Sequence, residues 1–287
     1  GYVPPDEYNN DFGSSWSLRP GDYSDIGEAK VLSDEYGEEL KYAEATDYLR
    51  YDGDSWRENK QLAVLAMEEL LDLQLADAQT QVDSAKEALS AAGVSEEDIS
   101  AGGRKLEKAV DADNMQLLFN YLAAVAYLVF VKKRRDYKYI ISAMNAAKPM
   151  LLISVNDLDK DGNLLNCPDA TYDLEKGMGG AREHNPADLI TKITDVVPSD
   201  EGKDIWLAAL DKFFCGDKEL IDYVQEIVGL AAIGKVYQEH LIIAYGDGAN
   251  GKSTFWNAPL TRRRRKTISC WNMRRKCADS ATTSASI

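Results

Sequence analysis

"ENKQLAVLAMEELLDLQLADAQTQVDSAKEALSAAG", residues 58–93, holds no proline and no glycine before Gly93. Residues of good helix propensity dominate it. Leu62, Leu65, Leu70 and Leu73 recur at roughly helical spacing, and Gly93 stops the pattern. The stretch predicts one long amphipathic helix and sets the class, a mainly α-helical region. "VSEEDI" (94–99) restarts a helix at Ser95, with Asp98 three residues on as its capping partner, and "AGG" (101–103) breaks it again. A third helical block runs from about Asp113. It becomes strongly apolar in "LLFNYLAAVAYLVFV" (117–131) and then meets "KKRR" (132–135).

That apolar run followed by four cations imitates a membrane anchor. Fifteen residues containing Asn120 fall short of the roughly 18 to 20 that span a bilayer, so the run is expected to be a buried core helix with no membrane contact. Lys132, Lys133, Arg134 and Arg135 are expected to be a solvated helix end rather than a DNA contact. In "DLDKDGNLLNCP" (157–168), Asp157, Asp159, Asp161 and Gly162 match the opening of an EF-hand loop. Its ninth position is Leu165 and its twelfth Pro168, where a bidentate glutamate should close the shell, so the reading is an acidic turn.

The 287 residues are 45% hydrophobic, enough for a real core. The net charge of −15 is uneven. Residues 257–287 carry eight Lys/Arg against one Asp, a balance of +7, which leaves −22 on residues 1–256. An acidic body argues against broad electrostatic DNA binding, although a local basic groove remains compatible with it. Cys167, Cys215, Cys270 and Cys277 form no CxxC pair and His184 and His240 are the only histidines, so a zinc site is not expected. The pattern suggests free thiols in a reducing, cytoplasmic compartment. Residues 1–24, opening "GYVPPDEYNNDFGSSW", have the composition of a linker.

"KDIWLAALDKFFCGDKELIDYVQEIVGLAAIGK" (203–235) predicts two short helices. One carries Trp206, Leu207, Leu210, Phe213 and Phe214, the other Leu220, Ile221, Val224, Ile227 and Val228. "HLIIAY" (240–245) reads as a short buried parallel strand. Directly after it stands Gly246-Asp247-Gly248-Ala249-Asn250-Gly251-Lys252-Ser253, a complete G-x-x-x-x-G-K-[ST] phosphate loop, followed by Thr254. Its glycines let backbone N–H groups turn toward the α- and β-phosphates of ATP. Lys252 would reach the β- and γ-phosphates, and the Ser253 hydroxyl would complete the shell of a Mg²⁺ ion. A chance match in a chain this long is on the order of 1%, so the pattern is specific.

The loop has the G-x-G-x-N-G-K-S form and resembles the Walker A motif of superfamily 3 helicases in phage and plasmid primase-helicases. "DIGEAKVLSDEYGEELKYAEATDYLRYDGDSW" (25–56), "LLNCPDATYDLEKG" (164–177), "HNPADLITKIT" (184–194) and "YVQEIVGLAAIGKVYQEHLIIAYGDGANGKSTFW" (223–256) resemble successive blocks of the poxvirus-type primase-helicase region that precedes the motor. The resemblance implies an ATP-dependent replicative DNA helicase of a phage, prophage or plasmid in a bacterial cytoplasm. It further implies a homo-hexamer with ATP between subunits, and DNA, single-stranded or at an origin, and replication proteins as partners. Gly246, Gly251, Lys252 and Ser253 would bind ATP·Mg²⁺, and Asn250 would shape the loop. The Walker B pair, sensor Asn and arginine finger of that family would follow the loop and are not found in residues 257–287.

The expected organisation is therefore α+β. It comprises a linker (1–24), a mainly helical primase-helicase module with small β elements (25–200), the start of an α/β, AAA+-like P-loop domain (201–257) and an aberrant tail (258–287). The tail puts Pro259 and then Arg262 to Arg265 where a helix with core residues should continue. It reads like another reading frame, poorly packed and disordered. The alternative is a purposeful basic tail on which Trp271 stacks with bases. Likewise the whole chain reads either as a helicase fragment, inactive by itself, or as a non-catalytic module binding DNA or replication proteins.

Overall fold

The computed structural model of the protein describes residues 17–234, 236, 239, 241–245 and 251–260. These divide into two compact units: one holds the residues up to Arg50 together with Glu58–Ile153, the other Tyr51–Arg57 together with the residues from Ser154 on.

The first unit opens on α1 (Asp25–Tyr36), started by Ser24, whose hydroxyl accepts from the Gly27 N–H at 3.1 Å. Strands β1 (Leu40–Ala43) and β2 (Asp47–Tyr51) pair antiparallel from Leu40↔Arg50 to Ala43↔Asp47, and β3 (Trp56–Glu58) completes the sheet in the order β1-β2-β3. Asn59 then caps α2 (Lys60–Ala91), its Oδ1 accepting from the Gln61 N–H at 2.9 Å. Two short helices follow, α3 (Glu96–Ala101) and α4 (Gly103–Ala109). The Ser95 hydroxyl accepts from the Asp98 N–H at 3.2 Å and donates to the Asp98 carboxylate at 2.6 Å, so the predicted cap is formed. Helices α5 (Met115–Arg134) and α6 (Tyr137–Ala147) complete the unit.

The long helix ends where its glycine predicts, but its buried face is not the one its leucines mark. Ala63, Ala66, Met67, Leu70, Leu71, Gln74, Ala78, Val82 and Leu89 are buried, whereas Leu65 and Leu73 are exposed. Alanines on the packed face let the neighbouring helix approach, so the stripe is written partly in small residues that a search for leucines passes over. That neighbour is α5, packed along α2. At 20 residues α5 is longer than its apolar run, and by length and composition it could cross a membrane, so length does not decide its nature. Leu118, Ala124, Tyr127, Phe130 and Val131 are buried, and 28% of the apolar stretch lies inside the fold. α3 and α4 close one end of the pair through a cluster of Leu89, Val94, Ile99, Leu106, Val110 and Leu118.

The expected solvated end of α5 is corrected at one residue. Arg134 is buried, pairing with Asp25 at the first turn of α1, while the Asp25 carboxylate also accepts from the Ser142 hydroxyl of α6 at 2.6 Å. A cation folded into a helical core needs a fixed partner, and Asp25 supplies it from 109 positions away.

In the second unit, β4 (Leu164–Asn166), β5 (Thr171–Asp173) and β6 (Ala181–Arg182) form an antiparallel sheet in chain order, with Asn166↔Thr171 and Thr171↔Arg182 in register. The segment Tyr51–Arg57 is fastened to it: the Trp56 N–H donates to the Ile190 carbonyl at 2.8 Å, the Trp56 indole to the Pro186 carbonyl at 2.9 Å, and the Asn166 amide to the Asp54 carbonyl at 2.7 Å. The acidic turn serves the same packing. Asp159 accepts from the Thr191 N–H at 2.8 Å and hydroxyl at 2.6 Å, and Asp161 accepts from the Asn163 N–H at 3.0 Å. Helices α7 (Lys203–Phe213), α8 (Lys218–Leu230) and α9 (Lys252–Leu260) follow. With small antiparallel sheets among many helices, the fold is α+β as expected.

The predicted strand at 240–245 needs correction for the residues described. Leu241–Tyr245 belong to no strand and are exposed, Leu241 by 87% and Tyr245 by 91%. A buried parallel strand takes its hydrogen bonds from neighbours on both sides, and among the described residues no strand lies beside this run.

Candidate nucleotide-binding site

Of the nine residues that the sequence singles out, Gly246, Asp247, Gly248, Ala249 and Asn250 lie outside the described residues. Gly251, Lys252, Ser253 and Thr254 stand at the start of α9. Their support begins at α7 and α8, which pack as a pair. Asp217 starts α8, its carboxylate accepting from the Leu220 N–H at 3.1 Å, and Trp206, Leu210, Val224 and Val228 form a buried cluster. Phe255 belongs to the same cluster, with its ring 5.8 Å from Trp206 and 5.6 Å from Phe214 between centroids. Burying such a ring contributes about 2 to 3 kcal/mol, which holds the first turn of α9 against α7.

Gly251 occupies the junction. Its φ is +80°, a left-handed conformation, and a Cβ placed on it would lie 2.5 Å from the Phe213 ring. Both facts require glycine there. The Gly251 carbonyl accepts the first helical bond, from the Phe255 N–H at 2.9 Å. The start of a helix carries a partial positive charge that suits an anion. Lys252 is half-buried, while Ser253 and Thr254 are exposed on the first turn. The helix continues to Leu260, three residues past the point where the resemblance stops. The expected poor packing of the tail falls largely on residues outside those described.

The donor chemistry fits a phosphate: backbone amides, a lysine and two hydroxyls at a glycine-opened helix start. The sequence singles out Lys252 and Ser253, but not what packs beneath them. Phe213, which sets the identity of residue 251, is assigned to a core stripe by its spacing, and only its contact gives it a second role. Among the described residues, no group of three or more His, Cys, Asp and Glu side chains could hold a metal ion.

A family model described as D5 N terminal like matches residues 29–215. No curated protein matches the chain. The family match spans both units in part and ends before the glycine-rich loop.

Proposed function

The chain belongs to the D5 N-terminal-like family, the N-terminal family of primase-helicase replication proteins, and on that premise we propose that it leads into an ATP-binding helicase motor of superfamily 3 type. The protein would act in DNA replication of a phage, prophage or plasmid in a bacterial cytoplasm. Gly246 to Ser253 would wrap the phosphates of ATP, with Asp247, Gly248, Ala249 and Asn250 forming the loop, Lys252 neutralising the β- and γ-phosphates, and Thr254 beside Ser253 on the first turn. Bound ATP·Mg²⁺ would supply the energy for unwinding. Homo-hexameric assembly belongs to the same reading.

The observation that carries it is Gly251, left-handed against Phe213 and opening a helix whose first residues are Lys252, Ser253 and Thr254. Phosphate loops need this backbone at this place. One observation favours the second reading, a non-catalytic module that binds DNA or replication proteins: the family match ends at residue 215, short of the loop.

Binding of a fluorescent ATP analogue, with and without Mg²⁺, separates the two. The first reading expects Mg²⁺-dependent binding that Lys252→Ala abolishes while the far-ultraviolet circular dichroism stays the same. Binding that ignores the substitution, or no binding at all, would leave the module reading standing alone.

A further inference from the structure

We propose that the corner where α5 meets α6 is a docking platform for single-stranded DNA, built from alternating cations and aromatic rings. The proposal rests on the reading of the chain as a replication protein, but not on the nucleotide loop. Residues 132–138, "KKRRDYK", carry five cations and one acid, a local charge of +4 on a body of −22. The cations are interleaved with rings. Arg19 lies 5.7 Å from the Tyr23 ring, Tyr23 stacks on Phe130 at 4.7 Å and 19°, and the Arg134 guanidinium lies 4.7 Å from Phe130 and 5.1 Å from Tyr139. Lys133 and Lys138 flank the same Tyr139 ring at 5.4 Å and 4.7 Å. The ladder runs from the segment before α1, across α5, to α6.

Two kinds of group are left to meet a ligand. Tyr137, the first residue of α6, is 67% exposed, and Tyr23 is 36% exposed. Lys132, Lys133 and Lys138 are exposed, and among the described residues none of them is in an ion pair, unlike Arg134 and Arg135, which pair with Asp25 and Asp72. Asp22, Asp25, Asp72 and Asp136 also lie along the ladder. Asp25 and Asp72 are paired with those arginines, which leaves Lys132, Lys133 and Lys138 against Asp22 and Asp136, so positive charge is in excess on the exposed face.

Single strands bind where cations track the phosphates and exposed rings stack on unpaired bases. A duplex hides its base faces and would leave Tyr137 without a role. An acidic peptide would use the lysines but not the rings.

The test is fluorescence anisotropy of a labelled oligothymidylate with the full chain over a range of salt concentrations. Wild type should bind at low salt and weaken steeply as salt rises. Replacing Lys132, Lys133 and Lys138 by Gln should lower the salt slope by about 2, at about 0.7 for each phosphate that a lysine no longer neutralises. Tyr137→Ala should weaken binding about tenfold. The same charge change at exposed Lys86, Arg104 and Lys108, at the far end of α2 and on α4, should do little. Circular dichroism of each variant should match wild type.

Four results would overturn the platform: no binding at low salt, equal loss in the control triple, no effect of Tyr137→Ala, or tighter binding of oligouridylate or polyglutamate than of oligothymidylate. If oligothymidylate fails while Lys252-dependent nucleotide binding persists, the platform falls and the phosphate-loop reading survives. The opposite pattern separates them the other way.

Discussion

Replacing Glu28 by Gln should make the protein more stable at pH 8 and leave it almost unchanged near pH 4.5. Glu28 lies on α1 with no exposed surface, and neither of its carboxyl oxygens finds a donor of good hydrogen-bond geometry. Burial pushes its pKa up from the ordinary 4.5 to about 7, against the smaller opposing pulls of the Gln74 side chain and the Arg134 charge. In the unfolded chain the group ionises near its ordinary value, so folding takes up a proton between those two pH values. Stability contributed by the neutral acid is complete below pH 4.5 and is lost as the pH rises through 7. The gap between 4.5 and about 7 corresponds to about 3 kcal/mol, at about 1.4 kcal/mol per unit. Glutamine keeps the shape and carries no charge. Urea unfolding followed by circular dichroism at pH 4.5, 6 and 8 measures this, and the difference between variant and wild type cancels the other titrating groups. The expected gain grows from near zero to about 2 to 3 kcal/mol across that range. A gain independent of pH, or a variant less stable at pH 8, would show that Glu28 does not carry the cost of burial assigned to it.

Gly251→Ala should cost about 1 to 2 kcal/mol through its left-handed backbone and weaken binding of the ATP analogue, read from melting curves and titration. Phe255→Ala should cost about 3 kcal/mol and shift Trp206 emission to the red as α9 loosens. Asp25→Ala strips the buried Arg134 of its partner and should destabilise the first unit, seen as a lower urea midpoint, whereas Asp136→Ala on the exposed turn should change it little. The 287-residue chain should bind ATP without releasing phosphate, because residues 257–287 offer one acidic side chain, Asp279, where turnover needs a carboxylate for the metal and a cation on the γ-phosphate. A colorimetric phosphate assay with single-stranded DNA present measures it, and release abolished by Lys252→Ala would contradict the expectation.

Features fixed within one or two helical turns were legible in the sequence. Gly93 closes α2, and Ser95 with Asp98 starts α3, because capping is a contact between residues two to four apart, whereas the Asn59 cap of α2 emerges only in the structure. Partners that folding brings from a distance were not. The phase of α2 depends on which side α5 lies, so Leu65 and Leu73 mislead while Ala63, Ala66 and Gln74 face inward. Arg134 looks like one of four equivalent cations until Asp25 and Ser142 arrive from two other helices. At the candidate site the motif names its own polar residues, since their spacing is the chemistry. Phe213 under Gly251, and the stack of Trp206 on Phe255, are tertiary contacts that no spacing records.

The seven residues from Tyr51 to Arg57 belong with the second unit although the chain on either side of them belongs with the first. On the ribosome this sets a waiting time. Trp56 leaves the exit tunnel with the first unit's early helices, but the Pro186 and Ile190 carbonyls that receive its two N–H groups come about 130 residues later. At ordinary rates of synthesis that is roughly 7 to 25 s, during which neither N–H group of Trp56 has its acceptor. An expression clone ending at Ile153 would leave the two N–H groups of Trp56 without those acceptors for good. A better-behaved half-protein would keep β3 and carry a polar residue in place of Trp56.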